Sequence, residues 1–238
     1  MRNAAQAQDE TETARAGLSV ASVPLVPLVE GALWWPEERT LVVADLHLEK
    51  GSSFARRGQM LPPYDTMATL QRLGGTLARL SPSRVIALGD SFHDRAGGDR
   101  LNEADRASLR AMTAATEWIW IAGNHDPDPP RDLGGRATRE LSIGPLTFRH
   151  EPQPGSRTGE IAGHLHPSAR IVGRGRSIRR RCFAADGQRL ILPAFGALAG
   201  GLNVLDAAFR PLFDGRAFHA WVLGDTVHAI AGQRLADG

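Results

Sequence analysis

Short apolar runs, separated by turn-forming residues, recur along the chain and predict buried strands. Each run has the length of a strand and is followed by Gly, Pro, Asp, Asn or another polar residue. The predicted strands are Leu41–Ala44, Val85–Leu88, Trp118–Ala122, Leu146–Arg149, Leu190–Leu192, Phe218–Leu223 and Thr226–Ile230.

Two stretches between the first three strands have helical spacing instead. Apolar residues recur on one face from Met67 to Leu80, and Ser81-Pro82 predicts the end of that helix. Asn102 can cap a second helix that carries Leu109 and Met112. The resulting strand–helix–strand–helix–strand order predicts parallel units, whereas the later half predicts an antiparallel sheet of short strands. We therefore expect an α/β fold of two sheets with helices outside.

Length and composition favour one domain in a reducing compartment. The 238 residues contain no internal repeat or linker, so we predict a single domain over 17–238, after a polar tail at 1–16 that we expect to be disordered. Cys182 is the one cysteine, which excludes an internal disulfide framework. No apolar run approaches the ~18 residues of a membrane span. No apolar leader is present at the N-terminus either. We expect a cytoplasmic protein that does not enter a membrane.

The basic residues are almost all arginines. Lys50 is the single lysine among 28 Lys and Arg residues. A GC-rich genome explains this bias, but arginine is also the better bidentate ligand for phosphate. The same alternatives apply to the arginines between 174 and 181, which fit either a solvated loop or a contact with a phosphate backbone.

Five segments place Asp, Asn or His directly after a predicted strand or, for the last, after the short run Glu160-Ile161-Ala162, at the position where α/β sheets bind their ligands. Each segment alone is also explained by turn chemistry or by a buried histidine, but their ordered joint occurrence favours a metal site. Oxygen and imidazole donors without thiolate suit Mn, Fe or Zn in a two-metal hydrolase. The segments are Asp45-Leu46-His47, Gly89–Asp94, Gly123–Asp126, His150 and Gly163–His166.

Other conspicuous residues have simpler explanations. We interpret His219 and His228 as structural or exposed, and the five tryptophans as core or sheet-face residues. The glycine-rich segment 196–201 lacks the Lys-Ser/Thr pair of a phosphate-binding loop, so we expect it to pack tightly near the metal centre.

The ordered motifs D-x-H, G-D-x-x-H-D, G-N-H-D, H and G-H-x-H resemble those of the calcineurin-like metallophosphoesterase superfamily. The flanking sequences LVVADLHLEKGSSFARRG, ALGDSFHD and LILPAFGALAGGLNVL are similar to the bacterial ligase-associated DNA damage response endonucleases (PdeM). The turn G-D-S-F-H-D also resembles that of the nuclease subunit of the double-strand-break repair complex. This resemblance implies a four-layer α/β/β/α sandwich of two mixed sheets flanked by helices, with DNA as substrate and Mn²⁺ as the preferred metal.

The resemblance also implies a role for each motif residue. Asp45, His47 and His166 would bind the first metal, Asn124, His150 and His164 the second, and Asp90 would bridge both. His125 would contact the scissile phosphate, together with Asn124, and act as general acid, and His93 would be a second histidine on the phosphate side. We add Arg56, Arg57, Arg179 and Arg180 as candidate substrate-binding residues, because they follow the first and last motifs in sequence.

We therefore predict a binuclear-metal phosphodiesterase, a DNA endonuclease of DNA repair that attacks phosphodiesters with a metal-bridged hydroxide. Its DNA would be single-stranded or flexible, and the resemblance suggests a ligase or helicase as a protein partner. Alternatives are a small-substrate phosphatase or nucleotide phosphodiesterase of the same superfamily, with Fe or Zn as alternative metals. An inactive scaffold would have lost ligands, and none of the seven is missing.

Overall fold

The computed structural model describes residues 17–128, 131–173 and 175–238. The predicted disordered tail at 1–16 lies outside these residues. The described chain begins with a small antiparallel hairpin, β1 (Ser19–Val20) and β2 (Val23–Pro24), before it enters the first large sheet.

The first sheet has its strands in chain order. β4 pairs antiparallel with β3 and with β5, and β5 to β8 then run parallel. The predicted parallel units are confirmed, with strand limits within one residue of those expected from the apolar runs. The strands are β3 (Val26–Pro27), β4 (Leu33–Trp35), β5 (Thr40–Val43), β6 (Arg84–Leu88), β7 (Glu117–Ile121) and β8 (Arg136–Thr138).

Helices cover the outer face of the first sheet. α2 ends where Ser81 adopts a left-handed φ of 47°, directly before Pro82, and the Asn102 side chain caps α4 by accepting from the Asp105 amide over 2.9 Å. Leu73 and Leu109, from these two helices, pack on the sheet with Trp118 and Trp120. No helix in the described residues is long and apolar enough to cross a bilayer. The helices are α1 (Lys50–Ala55), α2 (Asp65–Leu80), α3 (Gly97–Arg100) and α4 (Glu103–Ala115).

The second sheet is mixed. The long strand β13 pairs with β12 along its first part, and with β14 and β16 along its second part. β10, β11 and β14 are mutually parallel, so the expectation of an antiparallel second half was wrong. The long connection from residue 150 to 159 carries the chain back across the sheet, so that β11 begins at the end of the sheet where β10 began. The strands are β9 (Glu140–Ile143), β10 (Leu146–Arg149), β11 (Glu160–Ala162), β12 (Pro167–Gly173), β13 (Arg176–Ala185), β14 (Arg189–Ile191), β15 (Leu202–Asn203), β16 (His219–Leu223) and β17 (Val227–Ala231).

The two sheets pack face to face through their apolar side chains. Ile86 and Ile119 from the first sheet meet Phe148, Phe183 and Leu190 from the second, and all five are buried. The hydrophobic effect on this shared core fixes both sheets against each other, and so fixes the strand ends that carry the predicted site residues.

The outer face of the second sheet is covered by residues 204–218, a segment of irregular structure between β15 and β16. Phe209, Leu212 and Phe213 pack there on Cys182 and Ala220, and within the described residues this segment has only the 3₁₀ turn Ala207–Phe209. The α/β sandwich of two mixed sheets is therefore confirmed. Its fourth layer is this irregular segment, which packs on the second sheet through its apolar side chains.

Candidate metal centre

The predicted site residues meet at one edge of the sandwich, where strands of both sheets end. The amide of His164 donates to Asp45 Oδ2 over 2.9 Å and so joins the two sheets directly. Within the first sheet, the His47 amide donates to the Asp90 carbonyl over 2.9 Å. The loops after β5, β6, β7, β10 and β11 carry Asp45 and His47, Asp90 and His93, Asn124 and His125, His150, and His164 and His166, respectively.

Many of these residues have a left-handed backbone conformation. A positive φ turns the chain sharply at the end of a strand and aims the side chain across the sheet edge. Asp and His tolerate this region better than β-branched residues do, and such backbone strain is concentrated at functional sites. The five residues, with φ between 44° and 70°, are Asp45, His47, Asp90, His164 and His166.

Asp45, His47 and His166 form the first donor group, with one donor atom of each within 4.8 Å of the others. The Nε2 atoms of His47 and His166 are 3.2 Å apart, and His166 Nε2 lies 3.3 Å from Asp45 Oδ1. Asp45 Oδ1 is buried and has no hydrogen-bond partner among the described residues. Burial lowers the pKa of His47 to about 4, although the charge of Asp45 opposes this shift. A neutral imidazole beside an unsatisfied carboxylate oxygen fits a divalent cation.

Asp90, His150 and His164 form the second donor group, and Asn124 lies beside it. His150 Nδ1 is 2.9 Å from the Leu88 carbonyl, which can only accept, so Nδ1 carries a hydrogen. His150 Nε2 then faces three polar atoms at once: Asn124 Oδ1 at 2.9 Å, His164 Nδ1 at 3.2 Å and Asp90 Oδ2 at 3.4 Å. One N–H cannot serve all three, whereas a cation among them would satisfy every lone pair.

The electrostatics of this group are dominated by its carboxylates. Burial disfavours a charged His150, but Asp90 and Asp45 outweigh burial and raise the pKa of His150 to about 9. Burial likewise disfavours an ionised Asp90, but the hydrogen bond with His150 outweighs it and lowers the Asp90 pKa to about 2. Asp90 is therefore ionised near neutral pH, and a cation bound among these donors would displace the proton from His150.

His93 and His125 lie on the open side of the site. Together with His47 they form a third group of three donors within 4.8 Å of one another. His125 Nδ1 is 2.7 Å from the His93 carbonyl, and its Nε2 lies 3.9 Å from Asp90 Oδ2, so Nε2 points into the site. His125 is substantially exposed, which leaves it accessible to a substrate.

Two further polar residues, Asp126 and Arg100, hold the motif loops in place. Asp126 accepts the Phe92 amide at Oδ2 over 3.0 Å, and burial raises the pKa of this carboxyl to about 7. Arg100 pairs with Asp94 over 2.8 Å and also donates to Ser52 Oγ over 2.9 Å. Arg100 therefore ties the loop of His93 to α1. Asp94 and Asp126 belong to the sequence motifs, whereas nothing in the sequence pointed to Arg100.

The glycine-rich segment 196–201 packs tightly against the site, as predicted. A Cβ on Gly196 would lie 2.4 Å from the Leu46 carbonyl oxygen, and one on Gly201 would lie 2.4 Å from that of His166. Side chains from several elements hydrogen-bond to the backbone of this loop and the residues just before it: Lys50, Thr69, Arg72, Arg179 and Arg181.

The four candidate substrate arginines are all exposed, but they do not point to one side. Arg179 hydrogen-bonds to Ser168 Oγ over 2.8 Å and to the Gly201 carbonyl, beside the donor groups. Strand alternation places Arg180 on the opposite face of β13, with Cys182. Arg57 lies close enough to His93 that its charge helps to lower the His93 pKa, after burial, Lys50 and His125. Arg56 is not among the five largest causes of that shift.

The histidines and tryptophans that we interpreted as structural or exposed residues lie outside the donor groups. His219 and His228 are exposed on β16 and β17. Trp34, Trp35, Trp118, Trp120 and Trp221 are all buried.

Comparison with known proteins identifies related families and structures. Residues 38–190 match the family model of the calcineurin-like phosphoesterases. Among solved structures, the crystal structure of Pseudomonas putida nuclease MPE superposes with a TM-score of 0.70, and the two sequences are 32% identical. The match covers 90% of this chain and 98% of that chain. Yfce, a phosphoesterase from E. coli, is 14% identical with a TM-score of 0.41, over 81% of this chain and 98% of that chain. A comparison with curated proteins gives no match.

Proposed function

The chain belongs to the calcineurin-like phosphoesterase family and is a metal-dependent hydrolase of phosphoester bonds, and we propose that the bond it cleaves is the phosphodiester of DNA. The observation that carries the proposal is the pair of donor groups at one sheet edge, with exposed His125 above them. The similarity to a bacterial nuclease over nearly the full length of both chains supports a polynucleotide substrate.

We assign two divalent cations to the two donor groups. Asp45, His47 and His166 would hold the first, Asn124, His150 and His164 the second, and Asp90 would lie between them. Cations held there would neutralise the anionic diester and lower the pKa of an attacking water. The mixture of imidazole and oxygen donors favours Mn²⁺, with Fe and Zn as alternatives.

His125 is the residue that we assign to the leaving group. The alkoxide released from DNA is a poor leaving group unless it is protonated as the P–O bond breaks. With Nδ1 held by the His93 carbonyl, the proton that His125 can transfer is the one on Nε2, which points into the site. His93 lies with its ring 5.5 Å from that of His125, on the same open side, and would contact the substrate phosphate.

Positive charge beside the donor groups supports a polymeric substrate. Arg57 and Arg179 lie on the sides of the site formed by α1 and by the glycine-rich segment, where they can contact phosphates that flank the scissile one. A role in DNA repair and a ligase or helicase partner rest on the sequence resemblance alone.

The decisive experiment uses metal-stripped protein reloaded with Mn²⁺, Mg²⁺ or Zn²⁺. Each form is assayed on single-stranded DNA circles, duplex circles and bis-p-nitrophenyl phosphate, with Asp90→Asn as the inactive control. We expect Mn²⁺ to restore cleavage of circular DNA, because an enzyme that opens circles is an endonuclease. Hydrolysis of the nitrophenyl diester without cleavage of any DNA would instead identify a small-substrate phosphodiesterase.

A further inference from the structure

Lys50 links α1 to the glycine-rich segment at the rim of the site. It lies three positions after His47 and is the first residue of α1. Its Nζ donates to the Leu198 carbonyl over 3.1 Å. The side chain therefore spans from the first motif to a loop that itself packs against His166.

The ammonium of Lys50 lies on the same side of the site as the two open histidines. Nζ is 5.8 Å from the centroid of the Phe54 ring, and that ring is 5.6 Å from the ring of His93. Lys50, Phe54 and His93 thus form a continuous series that leads from the rim to His125.

The charge of Lys50 has no anionic partner in the described part of the chain. None of the salt bridges formed by the described residues includes Lys50, and the Leu198 carbonyl is the one acceptor there for its Nζ. An ammonium has three donors, so two remain for a ligand. The side chain is half-buried, and in such surroundings an ammonium attracts an anion more strongly than it does in bulk water.

The identity of the residue is also unexpected for this chain. The other 27 basic residues are arginines, so the composition gives no reason for a lysine at this position. A compact ammonium can donate to a carbonyl on one side and to oxygens in other directions, whereas the planar guanidinium directs its donors into one plane. The position therefore suits contact with a non-bridging phosphate oxygen beside the backbone of the loop.

We propose that Lys50 binds a phosphate next to the scissile phosphate of a polynucleotide, and that this contact makes the enzyme prefer a polymer over a small diester. The inference rests on the proposed function. A small diester has no second phosphate, so it gains nothing from this contact, whereas every internal linkage of a nucleic acid strand does.

The test compares Lys50→Met, which keeps the length of the side chain without its charge, with Lys50→Arg, which keeps the charge. Arg210→Gln is the matched control, because Arg210 is exposed in the segment that covers the outer face of the second sheet. Binding of a labelled single-stranded oligonucleotide is measured against salt concentration in EDTA, where no hydrolysis occurs. We expect Lys50→Met to flatten the slope of log K against log salt by about 0.7, the value for one phosphate contact on a single strand. Lys50→Arg and Arg210→Gln should keep the wild-type slope.

Activity of the Mn²⁺-loaded enzyme gives the second readout. Lys50→Met should lower kcat/KM on DNA about tenfold, as expected for one lost charge-assisted contact. Hydrolysis of bis-p-nitrophenyl phosphate should stay within about twofold of wild type, since it does not depend on that contact.

The possible outcomes separate this inference from the proposed function. An unchanged salt slope in a protein that cuts DNA overturns the role of Lys50 alone. An equal loss on both substrates with a lowered Tm also overturns it, because Lys50 would then only fasten the loop. A wild-type protein that hydrolyses the small diester but neither binds nor cuts the oligonucleotide overturns the proposed function, and the inference with it.

Discussion

Gly123 approaches Asp90 so closely that a Cβ on Gly123 would lie 2.2 Å from the Asp90 amide nitrogen and 2.3 Å from its Oδ1. The contact joins the loops after β6 and β7. Because one of these atoms belongs to the backbone, the two loops could accommodate a Cβ only by moving the Asp90 carboxylate, which we assign between the two cations.

We expect Gly123→Ala to destabilise the protein and to abolish phosphodiesterase activity. Overpacking of this kind costs about 1–3 kcal/mol, and here the shift is forced on Asp90 itself. Urea unfolding measures the free energy of unfolding. The rise in Tm on addition of Mn²⁺ reports whether the variant still binds the metal. Gly200→Ala is the matched control, since a Cβ there meets open space. Equal behaviour of the two variants would show that the loop adjusts.

His125→Ala should separate metal binding from proton transfer. The variant should keep its Mn²⁺-dependent rise in Tm but lose about 100- to 10,000-fold in DNA cleavage. Substrates with acidic leaving groups, such as p-nitrophenyl esters, need less protonation and should lose far less. His219→Ala, at an exposed histidine on β16, serves as the control. An equal loss on both substrates would refute the general-acid role.

The four candidate arginines form two matched pairs. Arg57→Gln with Arg179→Gln should weaken oligonucleotide binding and flatten its salt slope by about 1.4, the value for two phosphate contacts on a single strand. Arg56→Gln with Arg180→Gln removes the same charge from positions without a described link to the site, and should change the slope little. If both double variants behave alike, only the total charge of the chain matters.

The Asp94–Arg100 pair predicts a specific response to acid. Hydrogen bonds from Arg100 are the main cause that lowers the pKa of Asp94 to about 2. Because the unfolded value is near 3.9, the pair stabilises the folded state above about pH 4, and this contribution is lost as the pH falls to about 2. The pair is partly exposed, so the effect should be below about 1 kcal/mol.

Urea unfolding of Asp94→Asn should therefore differ from wild type at pH 6, and the difference should shrink towards pH 2. Asp225→Asn provides the comparison, because Asp225 is exposed and forms no salt bridge within the described residues. A difference that stays constant across this range would mean that the Asp94 carboxylate is not stabilised by its charge.

Much of the fold and the choice of site residues followed from local sequence patterns. The apolar run before Asp45 and the one before Asp90 mark strands whose parallel pairing brings both carboxylates to one edge. The asparagine cap at Asn102 and the helix end at Ser81 are likewise local features, and both are confirmed.

The sequence could not predict features that depend on tertiary contacts. The role of Arg100 depends on Asp94, in the loop after β6, and on Ser52, in α1. The different sides of Arg179 and Arg180 follow from the alternation of side chains along β13, a strand that the arginine run does not reveal. The parallel pairing of β10 and β11 depends on a connecting loop that has no regular structure.

The hydrogen bond between His164 and Asp45 joins residues 119 positions apart, and this separation matters while the protein is being made. On the ribosome, a chain that has emerged only as far as β7 carries Asp45 and Asp90 but not His150, His164 or His166. Neither aspartate-containing donor group is then complete. Unfinished chains, and proteolytic fragments that lack the second sheet, would therefore lack a complete metal centre and be unable to hydrolyse phosphoesters.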